Sequence, residues 1–99
     1  METESAVRER EDARLAPPGE YNVVMYNDDV TPFSLVMMIL VDVFGYEKEA
    51  ALIKTDGIQA SGSDVVGTYI KSVAELKVEL CHKITDAAGY PLRVEIKEA

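Results

Sequence analysis

The sequence has little of what enzyme active sites and metal centres are usually built from. Its 99 residues include one cysteine, Cys81, one histidine, His82, and no tryptophan. A lone cysteine cannot form a disulfide within the chain, and this pair cannot supply the four ligands of a structural zinc site. On a helix the two side chains would point in different directions, which prevents them from acting as nucleophile and base. We therefore expect no enzyme, no metal and no cofactor.

Basic residues and long apolar runs are also scarce. The chain has ten Lys and Arg residues and 18 Asp and Glu residues, which give a net charge of −8. Nucleic acids and anionic membranes attract basic surfaces, so this charge disfavours both as partners. The longest apolar region, residues 33–44, is interrupted by Ser34 and Asp42 and falls short of the roughly 20 residues that span a bilayer. No start with a basic segment, apolar core and cleavage site is visible. We expect a cytoplasmic protein with no nucleic-acid or membrane partner.

The composition divides the chain at Pro17-Pro18-Gly19. Residues 1–20 are rich in charge and contain no aromatic side chain, so they cannot bury enough apolar surface to offset the entropy of ordering. We predict a disordered N-terminal extension over residues 1–20 and one folded domain over residues 21–99.

The folded part reads as six segments in the order β-α-α-β-α-β. This order predicts an α+β two-layer sandwich, with a small, mostly antiparallel three-stranded sheet packed on three helices. Asp56-Gly57 is interpreted as a helix stop followed by a loop over residues 57–64. The predicted strands are residues 21–26, 65–70 and 92–97, and the predicted helices are residues 32–44, 47–56 and 73–88.

Helical spacing also predicts which side chains face inward. Ser72 is expected to cap the last helix. The residues expected to point into the core are Phe33, Val36, Met37, Leu40 and Phe44 of the first helix, Ala50, Ala51 and Ile53 of the second, and Leu76, Leu80 and Ile84 of the third.

A polar turn, Asn27-Asp28-Asp29, separates the first strand from the first helix. Thr31 and Pro32 favour a helix start there, because a threonine hydroxyl caps free N–H groups and proline is tolerated in the first turn. Acceptor groups beside apolar side chains suit a ligand with a positive head and an apolar body. The alternative is a turn alone, because Asn and Asp readily bond their own backbone.

The run from Tyr21 to Phe33 resembles the opening strand and loop of the ClpS family, small adaptors that hand N-degron substrates to AAA+ Clp proteases. Its most specific part is Asn-Asp-Asp-x-Thr-Pro followed by an apolar helix. The resemblance covers about residues 21–99. Further similar residues are Gly45-Tyr46, Glu49-Ala50, Gly62, Gly67, Ala74-Glu75 with Lys77, and Pro91-Leu92.

The resemblance implies a binding module. Asn27 and Asp28 would hydrogen-bond the free α-amino group of a substrate that begins with Phe, Leu, Tyr or Trp. Glu75 and Lys77 would contact the N-terminal domain of a Clp unfoldase, with Glu75 substituting for an acidic residue that the family has at Ser72. The alternative for Glu75 and Lys77 is a solvated helix face. A pocket for the first side chain would be formed by Thr31, Phe33, Val36, Ile39, Thr55, Ile58 and Leu92.

Three positions of the pocket depart from the family pattern. Gln59 stands where the family has a histidine that helps to hold the α-amino group; its amide oxygen can accept the same bond, but a helix end at Asp56-Gly57 would move it away. Phe33 replaces a methionine at the pocket mouth, and Thr55 is more polar than the usual wall residue. The alternative is therefore a ClpS-like domain that has lost N-degron binding and acts as a protein-interaction or protease-regulating module.

Two further hypotheses belong to other classes. Residues 75–97 also resemble the C-terminal unit of the ribosomal stalk protein, although this chain lacks its basic, glycine-containing helical surface. A second hypothesis is an obligate dimer through Met38 and Val41, two apolar residues on the side of the first helix where charges are expected.

Overall fold

The computed structural model describes residues 19–99 as three helices and a three-stranded sheet. The predicted α+β order is confirmed. Most of the predicted N-terminal extension lies outside the described residues, and Glu20, its last residue, already belongs to a strand. The elements are β1 (Glu20–Tyr26), α1 (Phe33–Asp42), α2 (Lys48–Ser61), β2 (Ser63–Ile70), α3 (Lys71–Ala88) and β3 (Val94–Glu98).

Strand β1 lies in the middle of the sheet, whose order is β2-β1-β3, and both pairs are antiparallel. The register shifts beside the glycine of β2: Val23 pairs with Gly67, and Val24 pairs with Val65. Val66 is therefore an additional residue on β2, as in a β-bulge. A Cβ at position 67 would lie within 2.6 Å of Tyr69 ring atoms, so the close approach of this ring requires glycine.

The core lies between the sheet and the helices. Val23 and Met25 of β1 are fully buried, and so are Ile39 and Leu40 of α1 and Cys81 of α3. Because β1 is central and its buried side chains anchor it, the turn that follows β1 starts from a fixed position. Among residues 19–99, no helix is both long and apolar enough to cross a membrane.

The predicted end of the second helix is wrong. Helix α2 continues through Asp56-Gly57 to Ser61, and the predicted loop over residues 57–64 is replaced by its last turn and the start of β2. A glycine inside a helix costs about 1 kcal/mol, but Thr55 and Ile58 flank it on a buried face, and burial of the isoleucine offsets that cost. The helix ends at Gly62, which takes a left-handed φ of 93°.

The predicted inward face of the third helix is right only for Ile84, which is partly buried against the core. Leu76 and Leu80 are 52% and 37% exposed, whereas Ala74, Cys81 and Thr85 are buried. The buried face of α3 therefore carries small side chains, so packing rather than apolar content selected it. Ser72 does not cap the helix, since α3 already begins at Lys71 and has no side-chain cap bond.

The predicted inward face is largely right for α1 and mostly wrong for α2. On α2, Ala51 is buried as expected, but Ala50 and Ile53 are exposed. On α1, Val36 and Leu40 are buried as predicted, together with Ile39. Phe33, Met37 and Phe44 are partly buried, and the last two pack against the core. Met38 and Val41 are exposed.

Candidate functional site

The turn after β1 is held by the side chain of Asp28. Its Oδ1 accepts hydrogen bonds from the N–H groups of Val30 (2.8 Å) and Thr31 (2.6 Å), and its Oδ2 accepts one from the Thr31 hydroxyl (2.8 Å). The predicted Thr31 cap is wrong, because Pro32 occupies the N-cap of α1 and no side-chain cap bond forms there. The aspartate therefore bonds its own turn, as the simpler interpretation of the sequence expects.

These bonds leave Asp28 charged and partly unsatisfied. Burial raises the pKa of this carboxyl group, but the hydrogen bonds from Thr31 and Val30 together outweigh burial and hold the pKa below its ordinary value of 3.8. An ionised carboxylate has about four acceptor positions, and three are occupied here. One position on Oδ2 remains for a positively charged donor.

Two backbone hydrogen bonds bring distant segments to this turn. The N–H of Asn27 donates to the carbonyl of Gly62 (2.9 Å), and the N–H of Tyr26 donates to the carbonyl of Arg93 (3.0 Å). The first bond holds the turn against the end of α2, and the second holds it against the approach to β3. Residues near positions 59 and 92 are thereby drawn to Asp28.

A narrow pocket lies where these segments meet. The pocket is narrow, because only about 10 Å³ of it is open to the centre of a water-sized sphere. Asn27 and Gln59 are exposed, whereas Val36, Ile58 and Leu92 are buried, so a polar rim leads to an apolar interior. The lining residues are Met25, Tyr26, Asn27, Asp28, Thr31, Phe33, Val36, Thr55, Ile58, Gln59 and Leu92.

The structure brings together all but one of the residues that the sequence analysis assigned to the substrate site. The exception is Ile39, which does not line the pocket and is fully buried in the core. Gln59 reaches the pocket because α2 continues past Gly57. The sequence analysis missed Met25 and Tyr26; their position directly before Asn27 on the central strand was the available signal.

The described residues contain no group of three His, Cys, Asp or Glu side chains placed to share a metal ion. What the pocket offers is hydrogen-bond acceptors at its rim and apolar contact inside, which is a geometry for binding.

Comparison with known proteins identifies the family. The model of ClpS, the ATP-dependent Clp protease adaptor protein, matches residues 16–95. The chain belongs to the ClpS family. The ClpS adapter of Paracidovorax citrulli is 42% identical over 89 residues, which cover 90% of this chain and 73% of that protein. The ClpS adapter of Cupriavidus metallidurans is 39% identical over 93 residues, which cover 94% of this chain and 86% of that protein.

A solved structure supports the same assignment. Agrobacterium tumefaciens ClpS2 bound to L-phenylalaninamide superimposes with a TM-score of 0.80 at 28% sequence identity. The match covers 84% of this chain and 100% of that one. The resemblance stated from the sequence is therefore confirmed, and the protein is a Clp protease adaptor of the ClpS type.

The two residues that the ClpS resemblance assigned to unfoldase docking do not share a face. Glu75 and Lys77 both lie on α3, but two helical positions place their side chains about 200° apart. Glu75 is exposed. The Lys77 ammonium donates to the carbonyl of Val43 at 2.6 Å and lies 5.6 Å from the ring centroid of Tyr69. Lys77 therefore stabilises the carboxyl end of α1.

Proposed function

We propose that this ClpS-family adaptor binds the free α-amino group and the bulky apolar first side chain of N-degron substrates and delivers them to a AAA+ Clp unfoldase. One observation carries the proposal: a single pocket joins a charged carboxylate that has an unused acceptor position to buried apolar walls. L-phenylalaninamide, the ligand of the Agrobacterium ClpS2, has both matching features, a free α-amine and a benzyl side chain.

The amine would be held at the rim. An ammonium group has three donors, and the proposed acceptors among the side chains that line the pocket are the Asp28 carboxylate and the amide oxygens of Asn27 and Gln59. Asp28 is fixed in place by its own turn, so it pays little entropy on binding. N-terminal acetylation would remove the charge and leave Asp28 without its partner.

The first side chain would enter the apolar interior formed by Val36, Ile58 and Leu92, with Thr31 and Phe33 beside them. Each methylene group moved from water into this interior contributes about 0.8 kcal/mol, which favours Phe, Leu, Tyr and Trp over Ala. The interior is narrow, so entry of an aromatic ring requires side-chain movement. Phe33 is only partly buried and is the side chain we expect to rotate.

Delivery would use other surfaces. Exposed Glu75 is proposed to contact the N-terminal domain of the Clp unfoldase, whereas Lys77 would act mainly through the fold because its ammonium is committed to Val43. The N-terminal extension is proposed to be engaged by the unfoldase during delivery.

The test is fluorescence anisotropy with labelled peptides that begin with Phe, Leu, Tyr, Trp or Ala, each with a free or an acetylated N terminus. The expected result is binding that requires both a bulky first residue and a free amine. Equal binding of free and acetylated peptides, or binding of none of them, would overturn the proposal.

A second candidate function is a protein-interaction module that does not bind N-degrons. The observation in its favour is a shallow apolar surface at which Met38 and Val41 of α1 are exposed beside Met37. Sedimentation velocity tests its simplest form: a stable dimer that Met38→Lys dissociates would support it, and a monomer at all concentrations would oppose self-association.

A further inference from the structure

Two polar side chains are buried in the described part of the chain, Thr55 and Thr85, which are 2% and 1% exposed. A buried hydroxyl is costly unless it is hydrogen-bonded. The Thr55 hydroxyl donates to the carbonyl of Ala51 at 2.7 Å, and the Thr85 hydroxyl donates to the carbonyl of His82 at 3.4 Å. The two threonines differ in one respect: Thr55 lines the pocket, and Thr85 does not.

The Thr55 oxygen retains hydrogen-bonding capacity. A hydroxyl group has one donor and two acceptor positions. Its donor is used by Ala51, and no donor within residues 19–99 bonds to the oxygen. Towards a molecule in the pocket, Thr55 can therefore act only as an acceptor.

Thr55 also lies deeper in the pocket than Gln59. It precedes Gln59 by four residues on α2, so the two side chains share one face of the helix and lie one turn apart, about 6 Å along its axis. Gln59 is exposed at the rim and Thr55 is buried. A ligand whose amine lies at the rim would extend its side chain towards Thr55.

We infer that Thr55 is a specificity-determining residue whose hydroxyl oxygen accepts a hydrogen bond from the first side chain of the substrate. Of the four bulky first residues, Trp carries such a donor in its indole N–H and Tyr carries one in its phenol O–H. Phe and Leu carry none. The inference rests on the proposed function and goes beyond it, because it ranks the bulky first residues by chemistry rather than by size.

The experiment compares peptides that differ only in the first residue, Tyr or Phe, on the full chain and on Thr55→Val, which replaces the hydroxyl with a methyl group of similar size. The measured quantity is the ratio of the two dissociation constants, Kd for Phe over Kd for Tyr. One neutral hydrogen bond corresponds to about a fivefold change, so this ratio should fall about fivefold in Thr55→Val. Thr85→Val is the matched control, since it removes the other buried threonine hydroxyl and should leave the ratio unchanged.

A second experiment changes the peptide instead of the protein. It uses the wild-type chain and so does not depend on the folding of a variant. A peptide that begins with Tyr should bind about fivefold more tightly than one that begins with 4-fluorophenylalanine, which is similar in size and lacks the donor. Thr55→Ser, which keeps the hydroxyl, should preserve the preference for Tyr.

The outcomes separate this inference from the proposed function. Amine-dependent binding with an unchanged ratio in Thr55→Val, or equal binding of Tyr and 4-fluorophenylalanine peptides, would overturn the role of Thr55 and leave the N-degron proposal standing. If the wild-type chain binds free and acetylated peptides equally, both the role of Thr55 and the N-degron proposal are overturned.

Discussion

Replacing Asp28 with asparagine removes the negative charge of the turn and keeps a side chain of the same shape. An asparagine in the same position keeps an Oδ1 acceptor for the N–H groups of Val30 and Thr31. Its Nδ2 would face the Thr31 hydroxyl, which now donates to Oδ2 and can instead accept. All three contacts of the turn can therefore persist without the negative charge.

The expected magnitudes follow from these contacts. Because the hydrogen bonds are retained, the free energy of unfolding should change by less than about 1 kcal/mol. The proposed ammonium loses a charged partner, and a hydrogen bond to a charged group is worth about 1.5–3 kcal/mol. Affinity for a peptide with a free N terminus should therefore fall by roughly tenfold to a hundredfold.

The assay is fluorescence anisotropy with a peptide that begins with Phe, together with thermal unfolding followed by circular dichroism. Asp29→Asn is the matched control: it removes the same charge one residue later, from an exposed side chain that does not line the pocket. The reasoning is refuted if Asp28→Asn binds the peptide with a free N terminus as tightly as Asp29→Asn does.

The pH dependence has a defined sign. Burial raises the pKa of Asp28, but its hydrogen bonds hold the folded value below the ordinary 3.8. The contribution of Asp28 to stability is therefore complete above that ordinary value and is lost as the pH falls through the folded pKa. Asp28→Asn should therefore lose less stability on acidification than the wild type. Binding should also weaken above about pH 8, where an α-amino group loses its proton.

Three other predictions follow from single contacts. Gln59→Ala should weaken binding of free-amine peptides about fivefold by anisotropy, and unchanged affinity would show that the glutamine is not an acceptor. Lys77→Met should lower stability by about 1 kcal/mol by removing the bond to Val43. This loss corresponds to a decrease in Tm of roughly 4–8 °C. Lys83→Met, which changes an exposed lysine on the same helix, should leave Tm unchanged. Burial raises the pKa of Cys81 to about 12, so a thiol reagent at pH 8 should label it only after denaturation, and rapid labelling of the folded protein would contradict this.

Local sequence signals predicted the elements that have strong periodicity. The alternating run of β1 and the apolar α1 were recognised, and so was the acceptor-rich turn between them. These features depend on side chains within a few positions of one another, which is the range over which periodicity and turn chemistry act. The order of the six elements followed, and with it the fold class.

Tertiary packing overrode local signals on two helices. Asp56-Gly57 is a common helix stop, yet α2 continues because the face that carries Thr55 and Ile58 is buried. On α3 the larger apolar residues predicted which face is buried, but the buried face is the one that carries the smaller side chains of Ala74 and Cys81. A contact with another element can offset the modest propensity cost of a single residue, and it is invisible to a local pattern.

The sequence by itself determined the polar turn and its tendency to bond its own backbone, because an aspartate in a turn readily accepts from the N–H groups that follow it, as Asp28 does from Val30 and Thr31. Family resemblance named the pocket partners of Asp28, but only the tertiary structure decided which of them meet it. Backbone bonds from Asn27 to Gly62 and from Tyr26 to Arg93 join segments tens of residues apart. Those bonds place Gln59 and Leu92 at one pocket, whereas packing of α1 turns Ile39 into the core. Such contacts depend on how whole elements pack, which spacing along the chain does not encode.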